Sequence, residues 1–464
     1  MILKASSPSI NVISKQPALP KVSHISDNEL LRSVRSQSYK SCSVSARLVL
    51  SYNSAKNSYL DPTRPAGRYD AISSPFRIGN RWMEYQGARD WAGLLDPLDE
   101  KLRCEILRYG NFVEAAYRSF DFDPSSPSYG TSRFGKKNLL DRTGFPGTGY
   151  RIKSTLSATS GIQVPCWAEM APSWVSLRSS WIGYVAVCQD KKEIARLGRR
   201  DVVIAFRGTA TCLEWLENLR ATLAELPNHH FEADHDGCCP MVETGFLSLY
   251  TSSTEKSPSL RDTLRREISQ ILEKYKGEQL SFTITGHSLG AALATLAAYD
   301  VKTTFKNAPL ATVISFGGPR VGNRSFRSQL EKQGTKVLRI VNPDDVITKV
   351  PGFLNCDNSY GDNDHDEPEE AEQQAGGSPW SSWGSWILRR VVDTQMAYCE
   401  VGCELRLMSP EKDHSSPILN NFNVAKCHDL KTYLELVESF VGSNCPLRKT
   451  ARRLLMRDQA SLVS

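Results

Sequence analysis

A serine stands between two glycines where a β-branched run meets an Ala/Leu-rich stretch: Thr283-Ile284-Thr285-Gly286-His287-Ser288-Leu289-Gly290. A tight strand-to-helix turn would strain the serine backbone and lift its hydroxyl clear of a sheet. The following helix N-terminus would then direct amides and partial positive charge at it. The chemistry this suits is nucleophilic attack. By itself the pattern is weak, since a Gly-flanked serine can be an ordinary turn, so the rest of the chain must supply a base and an acid to orient it.

In such a serine-elbow arrangement the acid and then the histidine follow the serine in the chain. Three histidines follow Ser288: His365, His414 and His428. His365 sits in an acidic, Gly-rich loop (357–379) and His414 in a polar, Pro-containing stretch, so both read as solvated. His428 precedes a helical pattern, where a loop can present a base. The run Val337–Asn342 reads as a strand followed by Asp344 and Asp345. Either carboxylate could hold the histidine tautomer, while the other caps the turn. An oxyanion hole takes one amide from the residue after the nucleophile, Leu289, and a second donor from a loop after an earlier strand. Arg207-Gly208-Thr209, closing Asp201–Phe206, supplies that loop. The next segment, 211–223, is amphipathic. Leu213, Leu216 and Leu219 line one side with Trp215 beside them, as in a core helix or a lid that opens toward lipid.

These residues need a scaffold. Residues 94–120 read as a helix with Asp96 as cap, Pro97 in its first turn and a stripe of Leu102, Ile106, Tyr109, Val113, Ala116/Tyr117 and Phe120. Residues 121–170, rich in Gly, Pro and Ser, are expected to wrap the core. From Trp181 onward strands alternate with helices: 181–190, 201–209, a helix over 260–275, the strand before Ser288, the elbow helix, 311–322, a short helix near 326–331, 336–345, a late strand over 397–407 and a helix entered from a loop over 424–441. That alternation predicts an α/β fold with a mostly parallel sheet covered on both faces. The expected divisions are a leader over 1–55, an N-terminal helical and wrapping extension over 75–170, a catalytic domain over 171–445 and a basic tail over 446–464.

Charge is unevenly placed. Residues 1–47 hold seven Lys/Arg against two acids and twelve serines, leaving 50 basic and 49 acidic residues in the rest of the chain. A near-neutral body argues against nucleic acid. A basic, Ser-rich start with no acid before Asp27 reads as an organelle transit peptide with a disordered leader. The twelve cysteines are scattered and suit a reducing compartment. Cys238 and Cys239 lie near His229, His230 and His235, but with no C-x-x-C spacing, so no metal is expected. No run reaches the ~20 apolar residues of a membrane span. Trp380, Trp383 and Trp386 recur just past the acidic loop.

The runs "DVVIAFRGTATCLEWLENL", "VETGFLSLY", "ITGHSLGAALATLAAYD", "SFGGPRVGN", "VLRIVNPDDVITKVP" and "CHDLKTYLELV" resemble the class 3 lipases. "RWMEYQGARDWAGLLDPLD" with "LRYGNFVEAAYRSFDFDPSSPSYG" narrows the resemblance to the plant class I phospholipases A1, over about residues 75–455. The resemblance implies the α/β-hydrolase fold with Ser288 as nucleophile, Asp345 as acid by motif register and His428 as base. Thr209 and Leu289 would form the oxyanion hole, and no cofactor is needed. It further implies sn-1 hydrolysis of membrane glycerolipids (phosphatidylcholine and galactolipids) through peripheral membrane contact. The location implied is the chloroplast, with the mitochondrion second, and released linolenate would feed jasmonate synthesis. Other readings are a neutral triacylglycerol lipase sharing every catalytic residue, and a lipase-like interaction protein without catalysis. The completeness of the machinery argues against the last.

Overall fold

The structure, a computed structural model, describes residues 76–123, 125–159, 179–209, 222–226, 239–255, 257–351, 398–407 and 424–442, all within the unit Pro65–Ser464. The leader 1–55, the 211–221 amphipathic segment with Leu213, Trp215, Leu216 and Leu219, the His229–Cys238 stretch, the acidic loop, the three tryptophans, His365, His414 and the tail 446–464 lie outside the described residues.

Seven strands form one sheet: β1 (Tyr150–Thr159), β2 (Ser179–Cys188), β3 (Arg200–Phe206), β4 (Leu280–His287), β5 (Leu310–Phe316), β6 (Lys336–Val341) and β7 (Cys403–Arg406). They lie side by side in chain order. β1 and β2 pair antiparallel, as do β2 and β3, and all pairings from β3 to β7 are parallel. The sheet thus begins inside the stretch expected to wrap the core. Its first strand is hard to read from pattern because shifts in register break the alternation between Ile152 and Ser154 and between Leu156 and Ser157.

Five helices matter for the site: α1 (Glu100–Ser119), α2 (Leu260–Lys274), α3 (Leu289–Thr304), α4 (Arg324–Lys332) and α5 (Leu430–Ser439). The cap of α1 is Asp99, not Asp96. Its carboxylate accepts from the amides of Lys101 and Leu102, which lack partners within the first turn. In α2, Ser259 caps and Leu260, Leu264, Ile268 and Ile271 are buried, as their spacing predicts.

Because successive strand residues point to opposite faces, each central strand feeds two cores. Val203 and Ala205 of β3, Phe316 of β5 and Ile340 of β6 pack with Phe112 and Val113 of α1 and Tyr433 and Val437 of α5. Val202, Ile204 and Phe206, Phe282 and Ile284 of β4, and Val313 pack on the other face with Leu264 of α2 and Leu293 and Ala297 of α3. Each Val, Leu, Ile or Phe among them contributes roughly 1.5–3 kcal/mol when buried. β4 departs from its apolar neighbours on the α1 side, where it turns Ser281, Thr283, Thr285 and His287 inward, all buried. At its start Asp201 of β3 accepts from Tyr150, Ser281 and Thr283 and lies beside Arg108 and Arg199. At its end stands Ser288.

Candidate active site

Strand β4 stops at His287 and α3 starts at Leu289, so Ser288 alone makes the turn. Its backbone has φ 58° and ψ −128°, a region L-residues rarely occupy. The tight approach of strand and helix explains the flanking glycines. A Cβ at Gly286 would lie 2.2 Å from the Gly290 carbonyl oxygen, and one at Gly290 would lie 2.5 Å from that of Arg207. Ser288 N–H donates to the Phe316 carbonyl at 3.0 Å, which fixes the turn to β5. The first two amides of α3, Leu289 and Gly290, precede the first helical hydrogen bonds, which run from Ala291 and Ala292 N–H to the Ser288 carbonyl.

The loop after β3 comes up against this serine. A Cβ on Gly208 would meet Ser288 Cβ at 2.9 Å, so the chain can pass only because residue 208 has none. Next to it the Thr209 Oγ1 is buried with no hydrogen-bond partner among the described residues. A buried hydroxyl left unpaired costs free energy that an incoming oxyanion would recover.

The carboxylate and imidazole meet beyond β6. Asp345 is fully buried, and its Oδ2 lies 2.7 Å from His428 Nδ1. The same oxygen accepts from Tyr433 Oη at 2.6 Å, while Oδ1 accepts from Ile347 N–H at 2.9 Å. A carboxylate facing these donors accepts, so His428 carries its proton on Nδ1 and presents an Nε2 lone pair. Burial, then the Asp345 charge, push the Tyr433 phenol well above its ordinary range, so it stays a donor. Asn342, the first residue after β6, donates to the Cys427 carbonyl at 2.9 Å and ties the carboxylate turn to the loop bearing His428. Asp344 is only half-buried and uses its amide to bond the Asn342 side chain.

His287 links the two halves. Its ring lies 4.7 Å, centroid to centroid, from that of His428, and its Nε2 is 2.6 Å from the His428 carbonyl oxygen. The arrangement therefore brings together Ser288, Leu289, Gly208 with Thr209, and the Asp345–His428 pair. An imidazole held by a carboxylate, a strained serine and an unpaired hydroxyl suit acyl transfer. Reading the residues alone assigned no role at the site to Tyr433, Asn342, His287 or Tyr117, the last counted only in the apolar stripe of α1. Tyr433 repeats with Leu430 and Val437 as a core stripe would, and nothing in a stripe shows what a hydroxyl will meet. Among the described residues no cluster of His, Cys, Asp and Glu could hold a metal ion, and no helix is long and apolar enough to cross a membrane.

A family model described as Lipase (class 3) matches residues 203–355, which run from β3 past the Asp345 turn. The chain is 62% identical over 387 residues to the chloroplastic phospholipase A(1) DAD1 of Arabidopsis thaliana, covering 83% of this chain and 82% of that protein. It is 38% identical to the chloroplastic galactolipase DONGLE of the same plant (80% and 72% covered). It is 39% identical to phospholipase A1 EG1 of Oryza sativa subsp. indica, named chloroplastic/mitochondrial (78% and 75% covered). With this fold and these relatives, the chain belongs to the class 3 lipase family, as a carboxylic ester hydrolase of α/β-hydrolase architecture beside plant enzymes of the chloroplast.

Proposed function

We propose that the protein is an sn-1-selective acyl hydrolase of membrane glycerolipids, acting on phosphatidylcholine and galactolipids from the membrane surface. In this reading Ser288 Oγ attacks the ester carbonyl carbon while His428 Nε2 takes its proton. The carbonyl oxygen becomes an oxyanion held by Leu289 N–H and Thr209. The intermediate collapses, the glycerol oxygen leaves with the proton from His428, and Ser288 retains the acyl chain. Water then attacks the acyl-serine carbonyl as His428 removes its proton; the bond to Ser288 Oγ breaks, Ser288 takes that proton back from His428, and free fatty acid departs. Asp345 keeps the imidazole oriented and stabilises its charged form. No cofactor takes part. Linolenate released this way would supply jasmonate synthesis.

The observation that most supports this reading is the 2.7 Å Asp345–His428 contact beside the Ser288 elbow, in a chain 62% identical to a phospholipase A(1). The test is a panel of phosphatidylcholine, galactolipid and triacylglycerol with different acyl groups at sn-1 and sn-2, incubated with the purified full chain and with Ser288→Ala. Release of the sn-1 acid from the polar lipids, absent with Ser288→Ala, is the expected result. Preference for triacylglycerol would replace the substrate assignment. Ser288→Ala within about tenfold of wild type would sink the nucleophile, because losing it in a triad costs far more.

A further inference from the structure

A hydrogen-bonded strap joins the two sides of the site without passing through the reacting groups. Gly208 N–H donates to Tyr117 Oη at 2.9 Å, Tyr117 Oη lies 2.7 Å from His287 Nδ1, and His287 Nε2 lies 2.6 Å from the His428 carbonyl oxygen. Chemistry settles every direction. A carbonyl only accepts, so the His287 proton is on Nε2. Burial, then the neighbouring His428, hold the His287 pKa well below its ordinary value, so the ring is neutral and Nδ1 accepts. Tyr117 must then be the donor to Nδ1, which leaves its oxygen lone pairs for Gly208. No link of the strap competes with another.

The ends of the strap are the places where geometry matters. Gly208 precedes Thr209 and abuts Ser288, while the His428 carbonyl belongs to the residue whose ring carries the base nitrogen. Tyr117, His287 and His428 are all buried, so water does not loosen the links. Tyr117 comes from the last turn of α1 and is 91 positions from Gly208 and 170 from His287. A helix outside the 203–355 match thus reaches into the site.

We propose that Tyr117 and His287 are positioning residues that set the oxyanion loop and the His428 backbone in fixed register before substrate arrives. The inference rests on Ser288, His428 and Thr209 acting as described above. Preorganised donors lower a barrier only if they already stand where charge develops, and small displacements cost large factors in rate.

Tyr117→Phe keeps the ring and removes the one atom that bonds both Gly208 and His287. On a soluble short-chain p-nitrophenyl ester, kcat should fall about 10- to 100-fold, less than the loss of a whole oxyanion donor. KM should stay within about twofold and the melting temperature within a few degrees, a split that a merely structural role would not produce. Combined with Thr209→Ala, the losses should multiply to clearly less than the product of the singles, because the loop then has less to position. A kcat near wild type, a loss that follows a fallen melting temperature, failure to fold, or fully multiplicative losses would each overturn the proposal. An inactive Ser288→Ala beside an unimpaired Tyr117→Phe removes only this inference, whereas an active Ser288→Ala removes the reading beneath it.

Discussion

At the scale of single residues the two neighbouring aspartates differ sharply. Asp345 has both oxygens occupied by donors in a fully buried turn, while Asp344 is half-exposed. Asp345→Asn should lower kcat by about 10⁴, because an amide in place of Oδ2 favours the wrong histidine tautomer. Asp344→Asn should stay within a few-fold, and the reverse ranking in steady-state kinetics would mean the other carboxylate serves the base. Tyr433→Phe removes a hydrogen bond to an ionised oxygen, worth roughly 1.5–3 kcal/mol. Part of that strength bears on how firmly Asp345 is aimed. Turnover should drop about tenfold, equivalent to about 1.4 kcal/mol of barrier, with the far-ultraviolet circular dichroism unchanged. Wild-type turnover in Tyr433→Phe would reduce that contact to packing.

At the scale of elements the elbow is a joint that tolerates little change. Its glycines face backbone, not flexible side-chain ends, so nothing can swing aside. Gly286→Ala would force β4 and α3 apart at the point where Ser288 holds an unfavourable φ. Overpacking of that kind costs roughly 1–3 kcal/mol or more, and the displaced serine should be inactive even in the fraction that folds. Thermal melts and titration of Ser288 with a fluorophosphonate probe would check this. Full labelling at wild-type rates would show that the turn can relax. All parallel strands end on the side where Ser288, the Gly208 loop and the Asp345 turn gather, and α1 and α5 close one face over them.

At the scale of the molecule, the far end of β3 and β4 holds a buried charged cluster away from the chemistry. Burial alone would raise the Asp201 carboxyl, but Arg199 and Arg108, with hydrogen bonds from Tyr150 and Ser281, outweigh it and hold the pKa below the ordinary value. A depressed carboxyl contributes stability that is complete above the unfolded value of about 4 and is lost as pH falls through the lower folded value. Asp201→Asn leaves buried arginines short of charge, a loss of about 3–5 kcal/mol for such pairs. Its melting temperature should lie well below wild type at pH 7, and the gap should narrow below about pH 4. A gap equally wide at both pH values would contradict the linkage. A separate expectation concerns Trp380 and Trp383, which lie outside the described residues. If they sit at the lipid boundary, changing both to Ser should reduce hydrolysis and co-sedimentation of phosphatidylcholine vesicles while sparing a soluble ester. Equal losses on both substrates would assign them to packing instead.

What the sequence by itself determined was local. The serine turn depends on glycines within four positions. The α/β alternation depends on strand and helix periods a few residues long, and a loop histidine before a helix can be picked from three. Such signals survive in one dimension because backbone sterics and side-chain period act over single turns and strands. The tertiary structure decided which groups meet. Reading the residues left Asp344 and Asp345 open. Resemblance chose Asp345, and packing brings that carboxylate to a histidine 83 positions away. Tyr117 looked like one more apolar stripe position on α1, yet its hydroxyl meets His287 170 positions on. The strand Tyr150–Thr159 was hidden because its irregular register broke the period that pattern reading needs. Hydrogen-bond partners at such separations follow from how α1 and α5 seat against the sheet, and no local propensity encodes that.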